Sequence, residues 1–360
     1  AAGLEVQTTR LATQPLSQLP GDPLSLAHEL AAQCADAGFE YVSLGPVLAG
    51  EPGEDSRLAH IPGLIRSSEM VFATVLVARH GGQISRAMPA IRRLASIIRE
   101  IAHTTDLGFG NLRLALLANV GPHTPFFPAA YHDGGPPALG IATEAADLAV
   151  DAFAGAGSLD HARQQLVSLV EADADRVVAA VQPIAEARGT RFAGIDFSLA
   201  PFPEQARSIG AAVERLGVER FGAPGTLFAS ALLTDCLRQA RYPHCGFSGL
   251  MLPVLEDAVL AARSREGLFT VNDLLLYSAV CGTGLDTVPL PGDVSEEELA
   301  GILLDVAALA LRLDKPLTAR LMPVPGAKAG DLTTFDFAYF VNGQVLGIKG
   351  HGSQGLFQRG

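Results

Sequence analysis

Apolar positions along the chain switch repeatedly between the pattern of a buried strand and that of an amphipathic helix. Strand-like runs fall at 5–11, 39–44, 70–78, 112–119, 192–197, 247–252 and 317–324. The run Met-Val-Phe-Ala-Thr-Val-Leu-Val-Ala at 70–78 is apolar on both faces, as expected of a fully buried strand. Helical spacing predicts helices over 24–37, 84–104, 143–153, 161–188, 204–216, 224–239, 255–266, 270–280 and 295–313. Two boxes, Thr270-Val271-Asn272-Asp273 and Ser295-Glu296-Glu297-Glu298, mark helix starts, and Asp160 is the expected cap of the helix at 161–188. Residues 334–340 and 344–348 read as a closing hairpin turned by Asn342-Gly343. Residues 50–63 are polar and rich in Pro and Gly, and read as a loop.

This alternation predicts an α/β fold with a parallel or mixed sheet, closed or doubly wound. No repeat of fixed period and no linker stands out, so residues 1–360 read as a single large α/β domain.

Composition narrows the function. The formal net charge is −12 and only 18% of residues are charged. Nucleic acid and anionic membranes are therefore excluded as main partners, since both need clustered Lys and Arg. A small-molecule substrate fits, and an apolar helix face is compatible with a homo-oligomer. No apolar run is long enough for a membrane span. Cys34, Cys236, Cys245 and Cys281 are scattered without a CxxC pair, which predicts reduced thiols and a cytoplasmic setting. The first ten residues lack a basic segment followed by an apolar one, so no signal peptide is expected. No nucleotide cofactor is expected, since Gly326-Ala327-Lys328-Ala329-Gly330 is not a P-loop.

The densest chemistry lies in Cys281-Gly282-Thr283-Gly284-Leu285-Asp286-Thr287-Val288-Pro289-Leu290-Pro291-Gly292-Asp293. Its glycines and prolines predict a loop that presents a thiol and two carboxylates. Cys281 reads as a nucleophile or as a small buried hydrophobe. Asp286 reads as an acid/base group or an Asx turn, and Asp293 as a helix-capping acid. Asp196 closes an apolar strand two residues before Ser198, where a carboxylate points either into a pocket or onto neighbouring backbone. His244 begins the run His-Cys-Gly-Phe-Ser-Gly, with Ser248 inside it, and is the preferred proton carrier. Asp196, Glu256, Asp257 and Asp286 are the candidate ligands for a divalent cation such as Ca²⁺ or Mg²⁺, because hard cations take carboxylate oxygens. Alternatively, Glu256 and Asp257 are acids of a helical first turn. A second long segment, 120–139, carries His123, Tyr131, His132 and Asp133 and reads as a ligand-contacting loop or lid. Arg320, within the strand at 317–324, reads as a clamp for a substrate anion or as half of an internal salt bridge.

Four segments carry a resemblance. They are Gly194-Ile195-Asp196-Phe197-Ser198-Leu199-Ala200-Pro201; Phe247-Ser248-Gly249-Leu250-Met251-Leu252-Pro253-Val254-Leu255-Glu256-Asp257; Cys281-Gly282-Thr283-Gly284-Leu285-Asp286; and Arg320-Leu321-Met322-Pro323-Val324-Pro325-Gly326-Ala327-Lys328-Ala329-Gly330-Asp331. In order and spacing the chain resembles the DUF711 (UPF0210) family. That family is similar to the pyruvate formate-lyase-like superfamily, whose resemblance implies a large α/β barrel with a central finger loop. It also implies that Cys281 and the Gly-rich tail around Gly350-His351-Gly352-Ser353 match the cysteine and glycine loops of glycyl-radical enzymes. The tail lacks an Arg-Val-x-Gly-Tyr-like segment and ends in Arg359-Gly360. The expectation is therefore a radical-free lyase or hydrolase acting by acid/base chemistry on a small polar or anionic metabolite. Asp196, Asp286 and His244 would move protons, Cys281 would be a nucleophile or pocket wall, and Arg320, Ser198, Ser248, His123, Tyr131 and His132 would contact substrate. A non-catalytic metabolite-binding protein is the alternative, and a glycyl-radical enzyme the third reading.

Overall fold

The computed structural model describes residues 3–350 and 352–358. His351 and Arg359-Gly360, which entered the reading of the Gly-rich tail, lie outside the described residues. The chain forms two compact units. The sheet unit holds Glu5–Gly134, Leu290–Lys328 and Ile348–Gly360, and the α-rich unit holds Ala1–Leu4, Gly135–Pro289 and Ala329–Gly347. Each is assembled from segments distant in sequence, so no single cut of the chain separates them, which is why no linker shows in the sequence.

The sheet unit is built on β1 (Arg10–Pro15), β2 (Tyr41–Leu48), β3 (Val71–Ala78), β4 (Leu114–Ala118) and β8 (Leu317–Val324). β1 to β4 are parallel neighbours in that order, with Val42 opposite Val71 and Ala73 opposite Leu114. β8 runs antiparallel to β4, with Leu116 opposite Ala319. The strand order is β1-β2-β3-β4-β8-β7, where β7 is Gly284–Pro291 and only its last two residues belong to this unit. Among the described residues the strands form this six-stranded sheet, which ends in edge strands, and a separate two-stranded one, so no closed barrel is traced by the named strands. β3 is buried from Val71 to Val77, as its unbroken apolar run requires. The helices of this unit are α1 (Pro23–Asp36), α2 (Glu54–Ser67), α3 (Ile84–Thr104) and α10 (Glu296–Leu313). α3 buries a stripe from Ala87 through Ile91, Leu94 and Ile98 to Ile101, and Asp22 caps α1 by accepting from Ser25 N at 2.9 Å.

In the α-rich unit β5 (Ala138–Ala142) pairs in parallel with β6 (Arg191–Asp196). Around this pair lie α4 (Ala146–Ala154), α5 (Leu159–Ala187), α6 (Ile209–Arg215), α7 (Thr226–Gln239), α8 (Ala258–Arg265) and α9 (Val271–Ser278). Isolated parallel bridges join Ile195 to His244 and Pro253 to Asp286.

Several sequence expectations are corrected. The supposed loop at 50–63 is mostly α2, despite Pro62 and Gly63 inside it. A Cβ on Gly63 would come within 2.9 Å of Leu24 on α1, so its glycine serves a close helix contact rather than a turn. The cap of α5 is Ser158, accepting from His161 N at 3.2 Å, and Asp160 sits in the first turn, where an acid suits the helix dipole. The hairpin at 334–348 does not form ladders; only Leu332 and Gln344 bridge. Asn342 supplies the missing bonds from its side chain, accepting from Phe335 N and Thr333 Oγ1 at 2.8 Å and donating to Phe335 O at 3.0 Å. The run at 247–252 is likewise not a strand. Both helix-start boxes form as expected, at Thr270/Asp273 and Ser295/Glu298.

The largest revision concerns 281–293. Its centre is the strand β7, with Leu285, Val288 and Leu290 fully buried. Pro289 and Pro291 are tolerated because β7 lies at the edge of the sheet order, where a residue without N–H forfeits no interior ladder bond.

Candidate functional site

β6 delivers Asp196 at its C-terminal end, fully buried. Its Oδ1 accepts from Ser198 Oγ at 2.5 Å and from Ser248 N at 2.8 Å, and its Oδ2 accepts from Phe247 N at 2.7 Å. Burial pushes the carboxyl up to about 6, against the downward pull of these three bonds. Desolvation wins because a carboxylate removed from water loses more than three donors restore. The backbone on both sides is held in left-handed conformations that side chains disfavour, at Leu199 (φ 45°) and Ser248 (φ 40°). Ser248 Oγ fastens this turn by donating to Cys245 O at 3.0 Å.

Two further groups complete the cluster. The Tyr242 ring stacks on His244 with centroids 3.6 Å apart and meets Phe197 edge-on at 5.1 Å. Burial raises the Tyr242 hydroxyl, and the Asp196 charge reinforces it. Burial and then Asp196 push the Cys245 thiol up to about 12. Both groups are thus kept in their neutral, protonated forms beside a carboxyl that titrates near neutrality. His244 is exposed, with Nε2 3.0 Å from the Ala240 carbonyl oxygen. Sequence reasoning missed Tyr242 and Cys245 as partners of Asp196. The bridge that aligns 244 with 195 is a pairing over 49 positions that no local pattern signals.

Cys281 is fully buried, and its sulfur accepts from Gly284 N at 3.3 Å. Gly282 and Gly249 pack backbone to backbone: a Cβ built on Gly249 would lie 2.3 Å from Gly282 Cα. Gly282 N also donates to Leu250 O at 2.8 Å, so the thiol segment is tied to the Ser248 turn that Asp196 holds. Asp286 is buried in β7, and its carbonyl accepts from Val254 N at 3.1 Å. The α-rich unit therefore brings Asp196, Ser198, Ser248, Cys281 and Asp286 onto one connected framework of segments.

Asp257 has a different task. Fully buried, its carboxylate accepts five hydrogen bonds: from Ser208 Oγ and Ile209 N at 2.6 Å, Gly210 N at 3.3 Å, Val259 N at 2.9 Å and Leu260 N at 3.0 Å. It caps α8 and α6 at once. Glu256 precedes it, half-buried. Of the acids proposed from sequence as cation ligands, Asp196 and Asp257 have carboxylate oxygens already engaged by hydrogen-bond donors. Every partner around Asp196 and Asp257 is a hydrogen-bond donor, whose proton would face a bound cation. Among the described residues no group of three or more His, Cys, Asp or Glu side chains is placed to hold a metal ion.

His123, Tyr131, His132 and Arg320 belong to the sheet unit. Arg320 is buried within β8, and its Nη1 donates to Leu112 O at 3.4 Å. His123 Nε2 lies 2.9 Å from Asp133 Oδ1, and Tyr131 OH donates to Val120 O at 2.9 Å. No helix among the described residues is long and apolar enough to cross a membrane.

Comparison with known proteins agrees with the segments quoted from the sequence. The family described as Uncharacterised ACR (DUF711) matches residues 1–338. A UPF0210 protein of Pyrobaculum arsenaticum is 33% identical over 366 residues, covering 91% of this chain and 76% of the relative. A UPF0210 protein of Methanopyrus kandleri is 31% identical, covering 91% and 77%. One from Listeria innocua is 26% identical, covering 99% and 83%. With the family match spanning nearly the whole chain, and relatives above 30% identity over nine-tenths of it, the chain belongs to the DUF711 (UPF0210) family.

Proposed function

We propose that the chain is a radical-free acid/base enzyme, a lyase or hydrolase, acting on a small polar or anionic metabolite with Asp196 as the proton-transfer group. One observation carries this reading: a fully buried carboxyl, pushed up to about 6, bonded to a serine hydroxyl and seated between two strained turns. A general base is most effective when its pKa lies near the working pH, and burial is the usual means of bringing a carboxyl there. Ser198, whose hydroxyl proton already points to Asp196, is the group through which a proton would be passed. Cys281, buried and accepting from backbone, serves as wall rather than nucleophile. The larger barrel implied by the family resemblance belongs to the same proposal, supported by the parallel bridge at Ile195/His244, which adds a segment in the direction of β5 and β6.

The test begins with a thermal-shift screen of small polar and anionic metabolites, because a ligand that binds only the folded chain raises its melting temperature. Each hit is then incubated with wild type and with Asp196→Asn, and products are measured. The expected result is a hit that wild type converts and Asp196→Asn binds but converts at least 100-fold more slowly. Hits that bind and are never converted would favour a metabolite-binding protein. Equal turnover by Asp196→Asn would remove the carboxyl from the chemistry.

A further inference from the structure

The α-rich unit holds an open cleft of about 370 Å³ between the first turns of α5 and the end of α7, a volume within the range of small-molecule sites. Asp160, Arg163, Gln164, Val167 and Ser168 line it from α5, and Gln239 lines it from α7. The α5 residues recur at steps of three and four, so they share one face of the helix. The cleft thus carries one cation, one anion, three neutral hydrogen-bonding side chains and one apolar contact. Opposite charges one turn apart on a helix commonly pair. Elsewhere on α5 charges are paired: Arg176 lies 2.8 Å from Asp173, and Glu171 lies 3.3 Å from Arg241. Asp160 and Arg163, by contrast, enter no ion pair among the described residues, which leaves both charges for what occupies the cleft. Arg163 is half-buried, and its Nε is buried without a hydrogen-bond partner among the described residues, so the guanidinium is seated without being neutralised. Its charge is felt by the buried Cys236 thiol of α7, so the group reaches toward the far side of the cleft.

We propose that this cleft binds a small zwitterion of the α-amino acid class, with Arg163 on its carboxylate and Asp160 on its ammonium group. The assignment goes beyond the acid/base reading at Asp196 and does not rest on it. A guanidinium matches a carboxylate with two parallel N–H donors, and an aspartate accepts from an ammonium. Two observations favour a zwitterion over a plain anion. An anion drawn to Arg163 would also meet repulsion from Asp160 on the same wall. The formal net charge of −12 moreover sets a field that opposes anions and is indifferent to a molecule of zero net charge. A plain cation would satisfy Asp160 and be repelled by Arg163. Gln164, Ser168 and Gln239 offer donors and acceptors to a polar side chain, and Val167 offers a surface to its carbon stem.

The test titrates the full chain by calorimetry at neutral pH with L-serine and L-glutamine. Each is compared with analogues that lack one charge: ethanolamine and β-hydroxypropionate for serine, γ-aminobutyramide and glutaramate for glutamine. The expected result is millimolar or tighter binding of at least one amino acid, weakened at least tenfold in both of its analogues. Asp160→Asn and Arg163→Gln each weaken it at least tenfold. Asp196→Asn leaves it unchanged, so failure here is distinct from failure of the acid/base reading. Thermal melts confirm that each variant is folded, and Gln239→Ala, an exposed change on the other helix, gives an independent loss of affinity if the α5 variants are unstable. Absence of binding by both amino acids at millimolar concentration overturns the assignment. So does an analogue that binds as tightly as its amino acid, or affinity unchanged in folded Asp160→Asn and Arg163→Gln. Binding lost in Asp196→Asn but kept in those two variants would move the amino acid to Asp196 and equally overturn it.

Discussion

Replacing Asp257 by alanine tests whether a single buried carboxylate holds two helix starts together. Its five bonds divide between two helices: Val259 N and Leu260 N at the start of α8, and Ile209 N and Gly210 N at the start of α6, with Ser208 Oγ as the fifth donor. Losing an N-cap side chain costs about 1 kcal/mol for α8. The two N–H groups of α6 and the Ser208 hydroxyl lie in the buried core, and stranding such donors costs about 1 to 3 kcal/mol each before water or relaxation compensates. With partial compensation the sum is about 4 kcal/mol, a large share of the roughly 5–15 kcal/mol that keeps a domain folded. Asp257→Asn keeps one acceptor oxygen but turns an NH₂ toward backbone donors, so it should cost about half as much. The internal control is Asp22→Ala. Asp22 caps only α1, accepting from Ser25 and lying 3.9 Å from His60 Nε2 at an exposed site, and its loss should cost clearly less than that of Asp257. Urea unfolding followed by far-UV circular dichroism measures all three, since the chain lacks Trp for fluorescence. An Asp257→Ala loss no larger than that of Asp22→Ala would refute the double cap. A chelator that lowered wild-type stability by as much as the mutation would instead restore Asp257 as a cation ligand.

Three further outcomes follow from the same geometry. Asp196 keeps its proton to about pH 6 in the folded chain but only to 3.8 when unfolded, so its contribution to stability is complete below pH 3.8 and is lost as pH rises through 6; this amounts to about 3 kcal/mol, and denaturation at pH 4, 5.5 and 7 should show the decline in wild type and its absence in Asp196→Asn. Gly249→Ala or Gly282→Ala would force a methyl to within 2.4 Å of opposing backbone, costing about 3 kcal/mol or more and measurable as a fall in melting temperature, whereas an unchanged melt would show that the two segments do not touch. A disulfide-exchange reagent at pH 7.5 should leave Cys34, Cys236 and Cys281 unmodified in the native chain and react only slowly with half-buried Cys245; rapid release of Cys281 would return it to consideration as a nucleophile.

What could be read from the sequence was what neighbouring residues decide among themselves. The span of α3 at 84–104, β8 at 317–324 and the two helix-start boxes follow from apolar periodicity and capping chemistry within a few residues. That Asp196 is unusual was legible because an acid ending an apolar strand is a local anomaly. Its meaning was not: the donors that hold it at Phe247 and Ser248 stand 51 and 52 positions away, and burial, which sets its protonation, is a property of the folded interior. Asp257 shows the opposite error. Its carboxylate suggested a cation ligand, but three of the five donors that occupy it, Ser208 Oγ, Ile209 N and Gly210 N, stand 47 to 49 positions earlier.

The segment 281–293 marks the division most clearly. The residues alone determined that it would be apolar where it mattered, rich in Gly and Pro, and home to a thiol and two acids. They could not determine that it runs as an edge strand, because tolerance of proline in a ladder depends on which strand lies beside it. Nor could they reveal that Gly282 is required by contact with Gly249 rather than by a turn. A chain fixes its local conformational preferences by sterics and capping at short range. Pairing partners, burial and the pKa values that follow from them are fixed only when distant segments exclude water together.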